Sequence, residues 1–143
     1  MEQLSKLGVL WAGEALTATQ SANSASVDCK EAGIAEVTLF AHDASNDTES
    51  QPTALNLQES DNNSSWSTIS GAEGDEDFDI PASTTDSYWG VKFLVDMRGR
   101  KRYLRLQITA AESQTYTAIA ELRDMGEQPN TAAEANVDAR VIL

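Results

Sequence analysis

Alternation of apolar and polar residues with a period of two is the feature of this sequence that most constrains its fold. In "AEVTLFA" (35–41), Val37 and Leu39 fall on one face of an extended chain, and Glu36, Thr38 and Phe40 fall on the other. The segment "RYLRLQIT" (102–109) alternates in the same way. Successive side chains of a β-strand point to opposite sides, so these segments are typical of strands with one buried face.

Alternating segments recur along the chain and are separated by turns that contain Gly, Ser, Asn or Asp. Besides the two already quoted, they are 6–11, 26–29, 53–60, 66–70, 89–97 and 115–123. No segment longer than one or two turns has the apolar spacing of an amphipathic helix. We therefore predict an all-β protein, a single-domain β-sandwich that is jelly-roll-like and spans residues 1–123.

Residues 124–143 differ from the segments before them. They begin with a polar stretch in which Gly126 and Pro129 interrupt any strand, and they end with Val141, Ile142 and Leu143. Two interpretations remain open: a last strand of the sheet, or an arm that binds a neighbouring molecule.

Composition limits the class of protein. A chain of 143 residues can bury one real core, and no apolar run approaches the roughly 20 residues of a membrane helix. We expect no secretion signal, because residues 1–18 lack a basic start followed by a long apolar run. Cys29 is the single cysteine, which excludes an internal disulfide and a cysteine-built zinc site.

Charge is distributed unevenly along the chain. The formal net charge is −13, and no Lys or Arg occurs between Glu31 and Val91, where thirteen of the 23 acidic residues lie. A field of this sign repels DNA, so we predict no nucleic-acid partner. We also predict no membrane partner.

The exception to this acidic character is "MRGRKRYLRLQIT" (97–109). As a strand, its second half places leucine and isoleucine on one face, so we predict a structural role for it. Arg98, Arg100, Lys101 and Arg102 then occupy the preceding turn, where Gly99 gives the backbone freedom. Either the turn is simply solvated, or its arginines bind carboxylates on a partner protein.

Candidate catalytic and metal-binding residues are few. His42 is the only histidine and has no evident nucleophile beside it, so we predict no enzyme. The acidic residues of "GDEDFD" (74–79) could ligate calcium, but they lack the ordered EF-hand pattern, and we predict neither a metal nor a cofactor. We expect Trp11, Trp66 and Trp89 in the core or at an interface.

Three segments resemble a family of tailed-phage capsid cement (decoration) proteins. They are "EALTATQSANSASVD" (14–28), "LNLQESDNNSSW" (55–66) and "GRKRYLRLQIT" (99–109), which occur in the family's order and spacing. Trp66 stands where the family usually has phenylalanine. Two features depart from the family: the acidic insert around 70–90, and a tail that continues beyond Arg123.

The resemblance implies a structural virion protein located on the capsid exterior after assembly in the host cytoplasm. Such a protein would bind the outer surface of the assembled shell and bridge major capsid protein subunits, stabilising the bacteriophage head. It would also associate with itself as a dimer or trimer on the shell. We predict that Arg98, Arg100, Lys101 and Arg102 contact the major capsid protein, together with the apolar end of the tail (Val141, Ile142, Leu143).

A different class of function remains as the alternative. The chain would then be a ligand-binding β-sandwich, such as a carbohydrate-binding module that uses exposed tryptophans and calcium at 75–79.

Overall fold

The computed structural model describes residues 5–43, 51–81 and 88–124, and these form nine strands. Their bounds are β1 Lys6–Leu16, β2 Ser21–Asn23, β3 Val27–Asp28, β4 Ile34–Asp43, β5 Ala54–Ser60, β6 Ser67–Glu73, β7 Tyr88–Asp96, β8 Tyr103–Thr109 and β9 Gln114–Arg123. Within these residues there is no helix with the length and hydropathy needed to cross a bilayer.

The strands form two antiparallel sheets. Sheet 1 has the order β1-β9-β4-β7, and sheet 2 has the order β2-β8-β5-β6, with the short β3 also paired to β8. Apart from β3, the strands pair in a nested way: β1 with β9, β2 with β8, β4 with β7, and β5 with β6. A long hairpin rolled into two four-stranded sheets pairs in this way, which is the jelly-roll topology. The predicted all-β, jelly-roll-like sandwich is therefore confirmed.

Side chains from both sheets meet in one core, as the alternation predicts. In sheet 2, Leu106 lies opposite Leu57, and both are buried. In sheet 1, Leu39 lies opposite Ala118, and both are fully buried. Burying one leucine stabilises the fold by about 1.5–3 kcal/mol, so the inward faces of the central strands supply most of the stability.

Two features of the strands differ from the sequence prediction. β1 continues to Leu16, whereas the sequence predicted its end near residue 11. The prediction was too short because register irregularities after Val9 and after Ala12 disturb the alternation on which it depended. Gly13, at φ 75°, lies in the second irregularity. β2 was not predicted, since three residues are too few to show a period.

The β7–β8 turn follows the prediction for Gly99, which has φ 78°. The backbone N–H of Arg100 donates to the carbonyl of Met97 at 3.1 Å and closes this turn. Residues 125–143 lie outside the described residues, so the choice between a tail and a last strand stays a prediction.

Candidate interaction surfaces

The candidates for chemistry lie on different sheets: His42 belongs to β4 of sheet 1, and the acidic segment 74–79 follows β6 of sheet 2. His42 is exposed on sheet 1, opposite Tyr88. In the part of the chain that the structure describes, no group of three or more His, Cys, Asp or Glu residues could hold a metal ion. Asp77 accepts a hydrogen bond from the backbone N–H of Glu73 at 3.0 Å, so its carboxylate helps to close the acidic turn, residues 74–79.

The three tryptophans are buried or half-buried. Trp11 and Trp89 are buried, and the ring of Tyr116 packs against both at centroid distances of 5.9 and 6.3 Å. Trp66 is half-buried, and the guanidinium of Arg105 lies 4.4 Å from its ring centroid. An open indole face for stacking on sugar is therefore absent at Trp11 and Trp89, and Arg105 covers one face of Trp66.

The basic turn, residues 97–102, contains the four cations predicted to contact a capsid. Arg98 donates to Asp96 from Nε at 2.9 Å and from Nη2 at 2.6 Å, yet its side chain is 85% exposed. This pairing holds the pKa of the Asp96 carboxyl at about 2. Arg102 donates to Asp28 from Nε at 2.8 Å and from Nη2 at 2.7 Å, which lowers the pKa of Asp28.

The other two cations of the basic turn are Arg100 and Lys101, which contact Glu59 and β6. Glu59 belongs to β5, and its side chain is only 13% exposed. It accepts a hydrogen bond from the backbone N–H of Lys101 at 3.1 Å and forms an ion pair with Arg100 at 3.5 Å. The Lys101 ammonium reaches the Ser67 hydroxyl at 3.3 Å.

The sequence predicted either a solvated turn or arginines that bind carboxylates on a partner protein. In the structure, each of the three arginines pairs with a carboxylate of the same chain. All four cations have a polar partner within the chain, so the arginines hold the turn against β3, β5 and β7. Asp28 and Glu59 are the residues that sequence reasoning missed. Of the three arginines, Arg98 has the most exposed side chain and is the best placed to reach a second molecule. Val141, Ile142 and Leu143 lie outside the described residues.

Sheet 2 brings together the three segments that resemble cement proteins. β8 lies in the last segment and pairs with β2 and β3 of the first and with β5 of the second. Polar side chains join them across the sheet: Arg105 donates to Gln58 at 2.8 Å, and Asn56 donates to Gln107 at 3.2 Å. The backbone N–H of Leu106 donates to the Ser24 hydroxyl at 2.8 Å.

The outer face of sheet 1 exposes several large apolar side chains. Every exposed large apolar side chain of the described residues lies on it: Val9, Phe40, Tyr88, Leu94 and Ile119. Val9 lies directly opposite Ile119 across the β1–β9 pair, and the rings of Phe40 and Tyr88 meet edge-to-face at 6.5 Å. Exposed apolar groups gathered on one face are typical of protein-binding surfaces.

This surface could have been suspected from the sequence. Phe40, Leu94 and Ile119 occupy the otherwise polar positions of alternating segments. A large apolar residue at such a position is either covered by another molecule or exposed, and the sequence alone does not say which.

An ion-pair network crosses the same face. Glu36 in β4 pairs with Lys92 of β7 at 2.8 Å and with Arg123 of β9. Lys92, followed by Arg123, lowers the pKa of the Glu36 carboxyl. The face therefore combines apolar and charged groups.

Two recesses lie beside β7. One, of about 500 Å³, is lined by Leu94, Arg98 and Asp124 among others, and connects the outer face of sheet 1 to the basic turn. The second, of about 700 Å³, opens between β7 and β6, where Phe78, Phe93 and Ile69 form part of its wall.

Comparison with protein-family models and with curated proteins found no match. Among solved structures, the chain is similar to PBSX exported protein XepA, with a TM-score of 0.49 and 21% identity over 96% of this chain and 41% of that one. It is also similar to Family 16 Carbohydrate Binding Module-2, with a TM-score of 0.33 and 11% identity over 74% and 71% of the two chains. The chain thus spans less than half the length of XepA, and similarities at these scores identify no function.

Proposed function

We propose that this chain is a capsid cement protein, a structural protein that binds the outer surface of an assembled phage shell and stabilises it. The observation that carries the proposal is the convergence of the three resembling segments, 14–28, 55–66 and 99–109, on adjacent strands of sheet 2. Their polar residues pair with one another across segment boundaries. The resemblance therefore concerns one connected structural unit, which supports its use as a guide to function.

The outer face of sheet 1 provides a surface for adhesion. Phe40 and Ile119 are 49% and 42% exposed, and covering them with a partner would remove apolar area from water. Arg98, at the end of the same sheet, adds an exposed positive charge in a chain of net charge −13. We propose that the face contacts the major capsid protein and that Arg98 pairs with a carboxylate at its rim.

Stabilisation would follow from linkage. A protein that binds the assembled lattice and not its separated subunits adds its binding free energy to the stability of the lattice. A subunit that touches two capsid proteins at once gains from effective concentration, so each contact can be weak. This reasoning requires no catalytic group.

Co-sedimentation of the purified chain with assembled shells tests the proposal. We expect the chain to pellet with the shells and not to bind unassembled capsid protein. The double substitution Phe40→Ser with Ile119→Ser should lower occupancy at least tenfold, because it removes the centre of the apolar face, while Glu76→Ser in the acidic turn should not.

A charge variant tests the rim of this surface. Arg98→Glu should lower occupancy. Ala18→Glu, which adds a negative charge to the β1–β2 turn beside the far end of β8, should leave it unchanged. Both residues are exposed, so circular dichroism should show a folded protein in each case. Full occupancy of the Phe40 and Ile119 double variant would contradict the proposed surface, and failure of the unsubstituted chain to pellet would contradict the proposed function.

A further inference from the structure

The edges of the two sheets are not equally protected against pairing with another chain. β1 has two register irregularities, and β6 has one, together with Gly71 at φ 90°. β2 has three residues and β3 has two. Bulges and very short strands are the usual devices that keep a sheet edge from pairing, so these edges are protected.

β7 has no bulge and is not short, and its protection is limited to the charged side chains of Lys92 and Asp96. Its nine residues pair with β4 without any register shift and include no proline, and no strand of the described residues pairs with its other side. Leu94, near the end of this edge strand, is 68% exposed. A long, regular strand with unpaired backbone groups and an exposed leucine is a template for a further strand.

The sequence of β7 is complementary to itself in one antiparallel register. We propose that a second copy of this chain binds along β7, with Leu94 on the two-fold axis, so that the two copies of sheet 1 form one continuous sheet. In this register Lys92 of each copy faces Asp96 of the other. These contacts would add to the ion pairs that Lys92 forms with Glu36 and that Asp96 forms with Arg98 within one copy. The two leucines meet at the centre, between two opposite-charge pairs, each of which is favourable across strands.

Neighbouring symmetric registers lack this complementarity. A two-fold axis at Phe93 places Lys92 opposite Leu94 of the second copy and leaves no pair of opposite charges. A two-fold axis at Lys92 places the two ammonium groups opposite each other, and an axis at Val95 places Lys92 opposite Arg98 of the second copy. Like charges directly opposite each other destabilise a strand pair. The self-complementarity of the first register is the reason for choosing a second copy over a strand of an unrelated protein.

The inner side of β7 fits the same register. Phe93 faces Val95 of the second copy, and both are half-buried beside the recess of about 700 Å³ between β7 and β6. The second copy would cover part of this apolar wall. Since one strand pair buries little area, we expect a weak dimer that depends on protein concentration. The inference does not rest on the proposed function, because it concerns the free protein in solution.

Site-specific cross-linking tests the position of the axis. In an antiparallel pair, directly opposite Cα atoms lie roughly 4.5–5.5 Å apart, which is within the range a disulfide spans. Leu94→Cys should therefore give a covalent dimer under mild oxidation. Val9→Cys, 59% exposed on the opposite edge of sheet 1, is the matched control and should remain monomeric. Cys29 is buried and should not react.

A charge exchange tests the register itself. By analytical ultracentrifugation of the full chain, Lys92→Asp and Asp96→Lys should each weaken the dimer at least tenfold. The double variant should restore it, because the opposite charges again face each other. Thermal unfolding of each variant should show a folded protein, which separates lost pairing from lost stability.

Several outcomes would overturn the inference. Equal cross-linking of the Leu94→Cys and Val9→Cys variants would indicate random collision. A strict monomer at every concentration, with the Leu94→Cys thiol slow to react, would indicate that another segment of the same chain covers β7. A dimer that the charge exchange leaves unchanged would place the interface elsewhere.

Discussion

Arg102 donates two hydrogen bonds to Asp28, at 2.8 and 2.7 Å, and thereby fastens the two-residue strand β3 to β8. A strand of two residues has little backbone pairing of its own. The bidentate contact, with its fixed geometry, compensates for that shortage. One arginine of the basic turn is thus committed to holding the edge of sheet 2.

This contact should make stability depend on pH. The pKa of Asp28 is lower in the folded protein than its ordinary value of 3.8, chiefly because Arg102 donates to it. A carboxyl whose pKa is lowered by folding stabilises the fold above its unfolded-state pKa, and this contribution is lost as the pH falls through the folded-state pKa. We expect Asp28→Asn to lower the free energy of unfolding at pH 7 by about 0.5 kcal/mol, a small value because the side chain is partly exposed.

Urea unfolding at pH 7 and at about pH 2.5 measures this difference. The gap between the unsubstituted chain and the Asp28→Asn variant should be present at pH 7 and should narrow at the lower pH. A gap of the same size at both values would show that the Asp28 charge contributes nothing.

Glu59 should contribute more to the stability of the fold than the other acidic residues near the basic turn. It is largely buried and accepts from the backbone N–H of Lys101 while pairing with Arg100. Glu59→Ala leaves these donors without their acceptor and should destabilise the fold by about 1–3 kcal/mol. Glu73→Ala, at an exposed position on β6, is the control and should change the free energy of unfolding by less than about 0.5 kcal/mol. Similar losses for both variants would refute the anchoring role of Glu59.

The two-sheet core predicts a contrast between two leucines. Leu106 is fully buried in β8, so Leu106→Ala should lower the free energy of unfolding by about 2–5 kcal/mol. Leu94 is 68% exposed, so Leu94→Ala should change it by less than about 0.5 kcal/mol, measured at low concentration where the chain is monomeric. Comparable effects in chemical denaturation would contradict the assignment of inner and outer faces.

Cys29 provides a probe of the folded core. It is 4% exposed, and burial raises the pKa of its thiol to about 12. Because the thiolate is the reactive form, a thiol reagent at about pH 8 should modify the folded chain very slowly and the urea-unfolded chain rapidly. Fast modification of the folded chain would show that the β3 end of the sandwich opens readily.

Much of the fold was predictable from the sequence. Leu104, Leu106 and Ile108 alternate with polar residues, and a period of two fixes which face of β8 is buried. Where β1 departs from regular pairing, the same reasoning failed, since the irregularities near Val9 and Gly13 shift side chains relative to the period. The alternation gives no information about which strands pair, so the nested pairing is evident only in the structure.

The interaction surfaces were less predictable. The sequence identified the cations of the basic turn, but their partners Asp28 and Glu59 are distant along the chain and became evident only when β8 paired with β3 and β5. The outer face of sheet 1 was missed for a similar reason. Phe40 and Ile119 are isolated exceptions within their own strands, and they become one surface only because β4 and β9 are neighbours.

The most direct test of the cement proposal is the temperature at which phage particles release their DNA, measured with and without this protein. Particles that lack the protein should open at a lower temperature, and adding the purified chain should restore the original value, since ligand binding stabilises the state that is bound. An unchanged release temperature in both comparisons would contradict the proposed function.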